Sequence, residues 1–124
     1  NAYFCIAPPG WQIDIFEFFL KSGKDMVSHN LHWAYGPNQQ SIGARLSHHE
    51  GVSEGFHTFA LEWTPKKYAF YIDGLKYYEI TQAISHTDEY MILSMELPAT
   101  MEGMKDAALP DVFIVDYVKV YKKR

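Results

Sequence analysis

The sequence has a single cysteine, Cys5, so no disulfide can close within the chain, and its stability must come from a packed core. Cysteine scarcity does not exclude secretion, because many secreted bacterial enzymes lack disulfides. Basic residues are also few: Lys and Arg total 11 against 15 Asp and Glu, a net charge of −4, and the only basic block is the terminal Lys122-Lys123-Arg124. A chain so charged lacks the electrostatic footprint of a nucleic-acid binder. No apolar run approaches the roughly 20 residues needed to cross a bilayer as a helix, which argues against a membrane partner. No signal-peptide pattern is visible. The first residue is Asn1 rather than Met, and it leads at once into the apolar run at 2–7. This opening reads as that of a processed or excised piece, with its true start and any targeting signal upstream. Phosphate-cradling Gly-rich loops and Ser/His/Asp arrangements are absent as well.

What the chain does have is apolar and aromatic material. Hydrophobic residues make up 48 % of it, and there are nine Tyr, eight Phe and three Trp. That is enough to bury one core, so residues 1–124 are read as a single domain, and the ring content favours strands over helices. Flat rings also suit the faces of sugar rings. Strand signals recur along the chain. An apolar run covers 2–7, and residues 11–20 alternate before becoming apolar. Val27, Leu31 and Trp33 alternate against Ser28, Asn30 and His32; Phe59, Leu61 and Trp63 share one face. Asp73-Gly74 between two aromatic-rich runs predicts a two-residue hairpin turn with positive φ. Strands are also expected over 90–97 and 111–123, and a single helix-like turn near 81–85. Two long polar segments, 35–55 and 97–110, interrupt the pattern and are candidates for loops that line a site. The fold class is therefore all-β and antiparallel, with a sandwich the expected architecture.

The segment Gln12-Ile13-Asp14-Ile15-Phe16-Glu17 carries the chemistry. Side chains on a strand repeat every two residues, so Gln12 and Asp14 share a face and Glu17, at an odd offset, falls on the other. One extra residue taken up in a β-bulge would correct the phase and bring Glu17 round beside them. Without the bulge, the segment is an ordinary strand with a solvent-facing polar edge. With it, three acidic-type groups line one groove. Retaining glycoside hydrolysis needs such a set: one carboxylate as nucleophile and one carboxylic acid as proton donor, roughly 5–5.5 Å apart. A third carboxyl between them tunes both. Glu17 is then the acid/base, Asp14 the tuner and position 12 the nucleophile. Gln12, a neutral amide, cannot form the glycosyl ester.

These residues resemble the signature of glycoside hydrolase family 16, in the bulged form Glu-x-Asp-x-x-Glu found in laminarinase-like members. Residues 57–74, a strand, a Trp63-Thr64-Pro65 turn, a second strand and an Asp-Gly hairpin, are similar to another block of that family. Residues 111–123 look like its closing strand. The resemblance runs from about residue 3 to residue 122. It implies a jelly-roll sandwich of the concanavalin A-like lectin/glucanase type, a sugar cleft on the concave face, and endo-hydrolysis of a β-linked polysaccharide with retention of configuration. β-1,3- or mixed β-1,3/1,4-glucan is the first substrate expected, a galactan the second. A secreted protein needing no cofactor is implied. Glu17 matches the acid/base, Asp14 the intervening Asp and Gln12 the nucleophile position, from which it departs. The chain as given is thus expected to be inactive, and a non-catalytic sugar-binding module or a half-sandwich assembly fragment are alternatives. Family domains are about twice as long, with the signature near their middle; here it starts at residue 12. Self-association, or a second chain supplying further strands, is expected to cover the edges this leaves.

Other residues are weighed beside this set. His32 resembles a His that laminarinase-like members place near the acid/base, and it would hydrogen-bond Glu17 or the leaving sugar. Trp11 and Trp33 are candidate sugar-stacking rings, although alternation puts both on the face opposite the polar set; Trp63 reads as core. Glu96 is a possible ligand contact at the cleft floor. Asp116 interrupts the apolar closing strand, and the resemblance makes it a candidate for a structural calcium, which needs about six oxygen ligands. The run His48-His49-Glu50 has no metal-ligand spacing and reads as a solvated loop.

Overall fold

The apolar alternation of the sequence becomes strand pairing almost from the start of the chain. The computed structural model describes the backbone of residues 2–7 and the whole of residues 10–19, 22–43, 46–95, 105 and 108–122. Among these residues there is no α-helix, and every strand pairing is antiparallel.

The first sheet is built from β1 (Ala2–Ala7), β2 (Trp11–Phe18), β3 (Met26–Trp33), β4 (Gln40–Gly43), β5 (Ser47–His48) and β9 (Tyr90–Met95). Its order is β4-β3-β2-β1-β9, with β5 also on β3. The second sheet, β6-β7-β8, comprises β6 (Phe59–Thr64), β7 (Lys67–Ile72) and β8 (Leu75–Ile80). The two face each other across one core. Ile13 and Leu31 of the first sheet pack with Tyr68, Phe70 and Ile80 of the second, and Phe16 and Val27 pack with Ile72 and Val52. Each fully buried apolar side chain of this kind contributes about 1.5–3 kcal/mol. The result is the antiparallel sandwich expected of a jelly roll.

The β7–β8 hairpin turns on Asp73 (φ 50°) and Gly74 (φ 79°), with Ile72 opposite Leu75. Two successive positive φ values match the right-handed twist of the flanking strands, which is why Asp-Gly was legible here. The Asp73 carboxylate also ties the turn to the start of β6. It accepts from the Thr58 backbone N–H at 2.9 Å and lies 2.7 Å from His57 Nδ1. That contact is the main reason the His57 imidazole is held above its ordinary pKa.

Four expectations are corrected. Residues 111–122 are not a strand: they pair with no described strand, and Asp116 among them is exposed. Alternation makes a segment competent for a ladder, but only a partner edge makes it a strand. The polar segment after β3 contains β4 and β5, which the sequence hides because they are short and polar and take their register from β3. Residues 81–85 form bends rather than a helical turn. Trp63, read as core, is 37 % exposed on the edge strand β6, with its indole N–H donating to the Ser85 carbonyl at 3.1 Å. Glu96 and most of 97–110 lie outside the described residues.

Candidate active site

The irregularity in β2 falls where the sequence required it. Against β3, Asp14 stands opposite Asn30 and Glu17 opposite Ser28, so three steps along β2 match two along β3. Against β1, Ile15 is passed over: Asp14 pairs with Cys5 and Phe16 with Phe4. Ile15 and Phe16 are both buried, and burying two successive apolar side chains drives the extra residue into the strand at this point. The phase change carries Glu17 onto the face of Gln12 and Asp14.

Hydrogen bonds tie Gln12 to Asp14 and Glu17 to β3. Gln12 Nε2 donates to Asp14 Oδ1 at 2.6 Å. Ser28 Oγ donates to Glu17 Oε2 at 3.1 Å, and Asn30 Nδ2 donates to the same oxygen in a short contact. His32 Nε2 lies 3.4 Å from Asp14 Oδ2. Asp14 itself is buried, while Gln12 and Glu17 are half-buried. From above, Tyr35 OH donates to Gln12 Oε1 at 2.9 Å. The Gln12 amide thus uses its donor on Asp14 and its acceptor on Tyr35. A carboxylate at position 12 has no hydrogen to give Asp14, so two carboxyls at that distance would have to share a proton.

Other sequence-derived candidates land differently. His32 was expected beside Glu17, but it sits opposite Gln12 and reaches Asp14; the register interposes Asn30. Its Nδ1 is buried without a hydrogen-bond partner. Trp11 and Trp33 are cross-strand partners, stacked at 6.0 Å and packed against the core cluster, so neither ring lies on the polar face. No three His, Cys, Asp or Glu side chains gather to hold a metal among the described residues, and Asp116 is exposed. His49 is tied into its loop through Ser47 Oγ at 2.7 Å from Nε2 and lies edge-on to Tyr77; burial lowers its pKa.

Three residues of the site are not singled out as site residues by the sequence: Ser28, Asn30 and Tyr35. Ser28 and Asn30 have the parity of His32, a signal that was present, but their role needs the bulge to bring Glu17 to them. Tyr35 carries no periodic signal. The inward face of β3 also holds a fully buried His29 among Phe70, Tyr77 and Tyr78. Two hollows lie elsewhere, a cavity of about 220 Å³ beside His57 and Asp73 and one of about 470 Å³ beside Trp63 and His86.

Comparison with known proteins agrees with the all-β fold. The profile of Glycosyl hydrolases family 16 matches residues 3–119. The chain is 30 % identical over 118 residues to a Beta-glucanase of Acetivibrio thermocellus, covering 91 % of this chain and 33 % of that protein. It is 23 % identical over 124 residues to the Clotting factor G alpha subunit of Tachypleus tridentatus, covering 93 % of this chain and 18 % of that protein. The chain spans a third or less of the length of the curated relatives it matches.

Proposed function

Because the chain belongs to family 16 of the glycosyl hydrolases, we propose that the polar row on β2 and β3 is the catalytic face of a retaining β-glucan hydrolase, in a form that holds its substrate without cleaving it. The observation that carries this is the bulge, which assembles Gln12, Asp14 and Glu17 on one face. In this reading Glu17 is the proton donor. Ser28 and Asn30 both hold its Oε2 and fix the plane of the carboxyl, so that Oε1 presents the proton to the glycosidic oxygen. Asp14 is the tuning carboxylate and His32 orients it through the 3.4 Å contact. Position 12 faces the anomeric carbon, where an amide cannot form the ester intermediate.

The similarity to a β-glucanase supports a β-glucan as substrate, for which a β-1,3- or mixed β-1,3/1,4-linkage is our reading, and a polysaccharide too large to enter a cell supports an extracellular place of action. The satisfied amide of Gln12 also favours a second reading, a non-catalytic carbohydrate-binding module with the same residues as ligand contacts. We further propose that strands from a second copy, or from another chain, cover the apolar rows left open on β9 and over 112–121.

Gln12→Glu is the test. It is assayed for new reducing ends on β-1,3-glucan, mixed-linkage glucan, agarose and carrageenan, alone and with the amino-terminal portion of a β-glucanase supplied in trans. The unaltered chain is expected to bind a glucan oligosaccharide and release no product, and the variant to gain at least about a hundredfold in rate. Binding without turnover in both proteins would replace the hydrolase reading with the binding-module one. Turnover by the unaltered chain would remove the role given to position 12.

A further inference from the structure

Tyr35 stands where strand geometry alone would not put it. Trp33 packs toward the core, so regular alternation would send residue 34 outward and residue 35 back inward. Instead Ala34 is left-handed (φ 54°) and Gly36 follows at φ 116°. A non-glycine residue seldom adopts the first of these conformations, and such strain collects beside functional sites. The Ala34 N–H donates to the Gly10 carbonyl at 3.1 Å, which pins this kink to the segment leading into β2. The outcome is that Tyr35 turns over the polar face, 46 % exposed, with its hydroxyl on Gln12 Oε1.

We propose that Tyr35 is the positioning residue for position 12: its hydroxyl orients whichever side chain stands there, and its exposed ring forms the wall for a sugar ring at that end of the row. This rests on the reading of the face as a sugar site, but its first half does not need a sugar to be tested. With Gln12 the phenol fixes the amide, holding Nε2 toward Asp14. With a carboxyl there, the same O–H stabilises the charged form. Among the described residues, the other charged or titratable groups on the face of position 12 are Asp14, within hydrogen-bond reach, His32, opposite it in the register, and Glu17, further along β2. None of them is altered by a change at Tyr35.

Two variants separate hydroxyl from ring. In Gln12→Glu protein labelled with ¹³C at glutamate carboxyls, the introduced carboxyl is titrated by NMR with and without Tyr35→Phe. Loss of the hydroxyl is expected to move its midpoint upward, a readout that a merely structural role would leave in place. An unmoved or lowered midpoint overturns the positioning role whatever the protein binds. In the Gln12 protein, a hexasaccharide of β-1,3-linked glucose is titrated by calorimetry. Tyr35→Phe is expected to bind within about threefold of the unaltered chain, and Tyr35→Ala to bind roughly tenfold more weakly. Equal binding by Tyr35→Ala overturns the wall. Failure of the unaltered chain to bind overturns the reading of the face as a sugar site and the wall with it; the midpoint test stands apart from that result.

Discussion

Glu17 and Gln12 differ in how the surrounding residues treat them. Two neutral donors on β3 converge on one oxygen of Glu17, an arrangement that suits a carboxyl in either protonation state. Gln12 lies between an acceptor, Asp14, and a donor, Tyr35; its amide satisfies both at once, whereas a carboxyl would do so only when protonated. Asp25 shows the same logic in a structural role. Its buried carboxylate accepts from Ser53 Oγ at 2.5 Å, Ser53 N at 2.9 Å and Gly51 N at 3.1 Å, fastening the 51–53 turn to the entry of β3. These bonds, those of Ser53 foremost, hold its pKa down to about 2 from an ordinary 3.8. The folded value lies below the unfolded one, so the contribution to stability is present above the unfolded pKa and is lost as the pH falls through about 2. Asp25→Asn is therefore expected to lower the urea midpoint at pH 7 and to flatten its decline between about pH 4 and pH 2. Urea curves at both pH values check this; a variant whose deficit is the same at the two would refute the assignment.

At the level of strands, β2 and the β7–β8 hairpin were readable in advance because their signals are local. A two-residue period with one misplaced Glu implies a bulge, and Asp-Gly between aromatic runs implies its turn. β4 was not readable, since its residues are polar and its place depends on β3. The close approach there is visible at Gly43, opposite Asn30, where an added Cβ would stand 2.6 Å from the His29 carbonyl oxygen and 3.0 Å from Asn30 Cα. Gly43 also has φ +117°. Gly43→Ala must shift β3 or β4, at a cost of about 1–3 kcal/mol, and the shift reaches Asn30 and hence Glu17. Gly74→Ala, strained only by its φ of +79°, costs about 1–2 kcal/mol at a distance from the site. Urea denaturation should register both losses. Side-chain NMR signals of Asn30 should move in the first variant alone, and their movement in both would mean that the hairpin and the site are coupled.

Across the whole molecule the two sheets are unequal. The three strands of the second sheet cover β2 and β3, and the first sheet continues past them through β1 to β9. The register relates Met91, Leu93 and Met95, through β1, to Ile13, Phe16 and Phe18 on the core side. Yet those three are 38, 41 and 43 % exposed. Val112, Ile114, Val115, Tyr117, Val118, Val120 and Tyr121 are exposed as well. Apolar rows and an open strand edge of this kind promote pairing with other strands. Sedimentation equilibrium is expected to show concentration-dependent association, and Leu93→Lys to reduce it by placing a charge in the row; a monomer at high concentration would contradict the expectation.

Sequence by itself determined the all-β class, the Asp-Gly hairpin, the need for a bulge before Glu17 and the kinship that the matched profile establishes, because each rests on local alternation or on residue order. Only the tertiary structure decided that His32 lies against Asp14 and not Glu17, that Tyr35 turns onto the polar face, and that 111–122 is no strand. These depend on register, on a left-handed kink and on the presence of a partner edge, which are relations between segments distant in the chain that no single segment encodes.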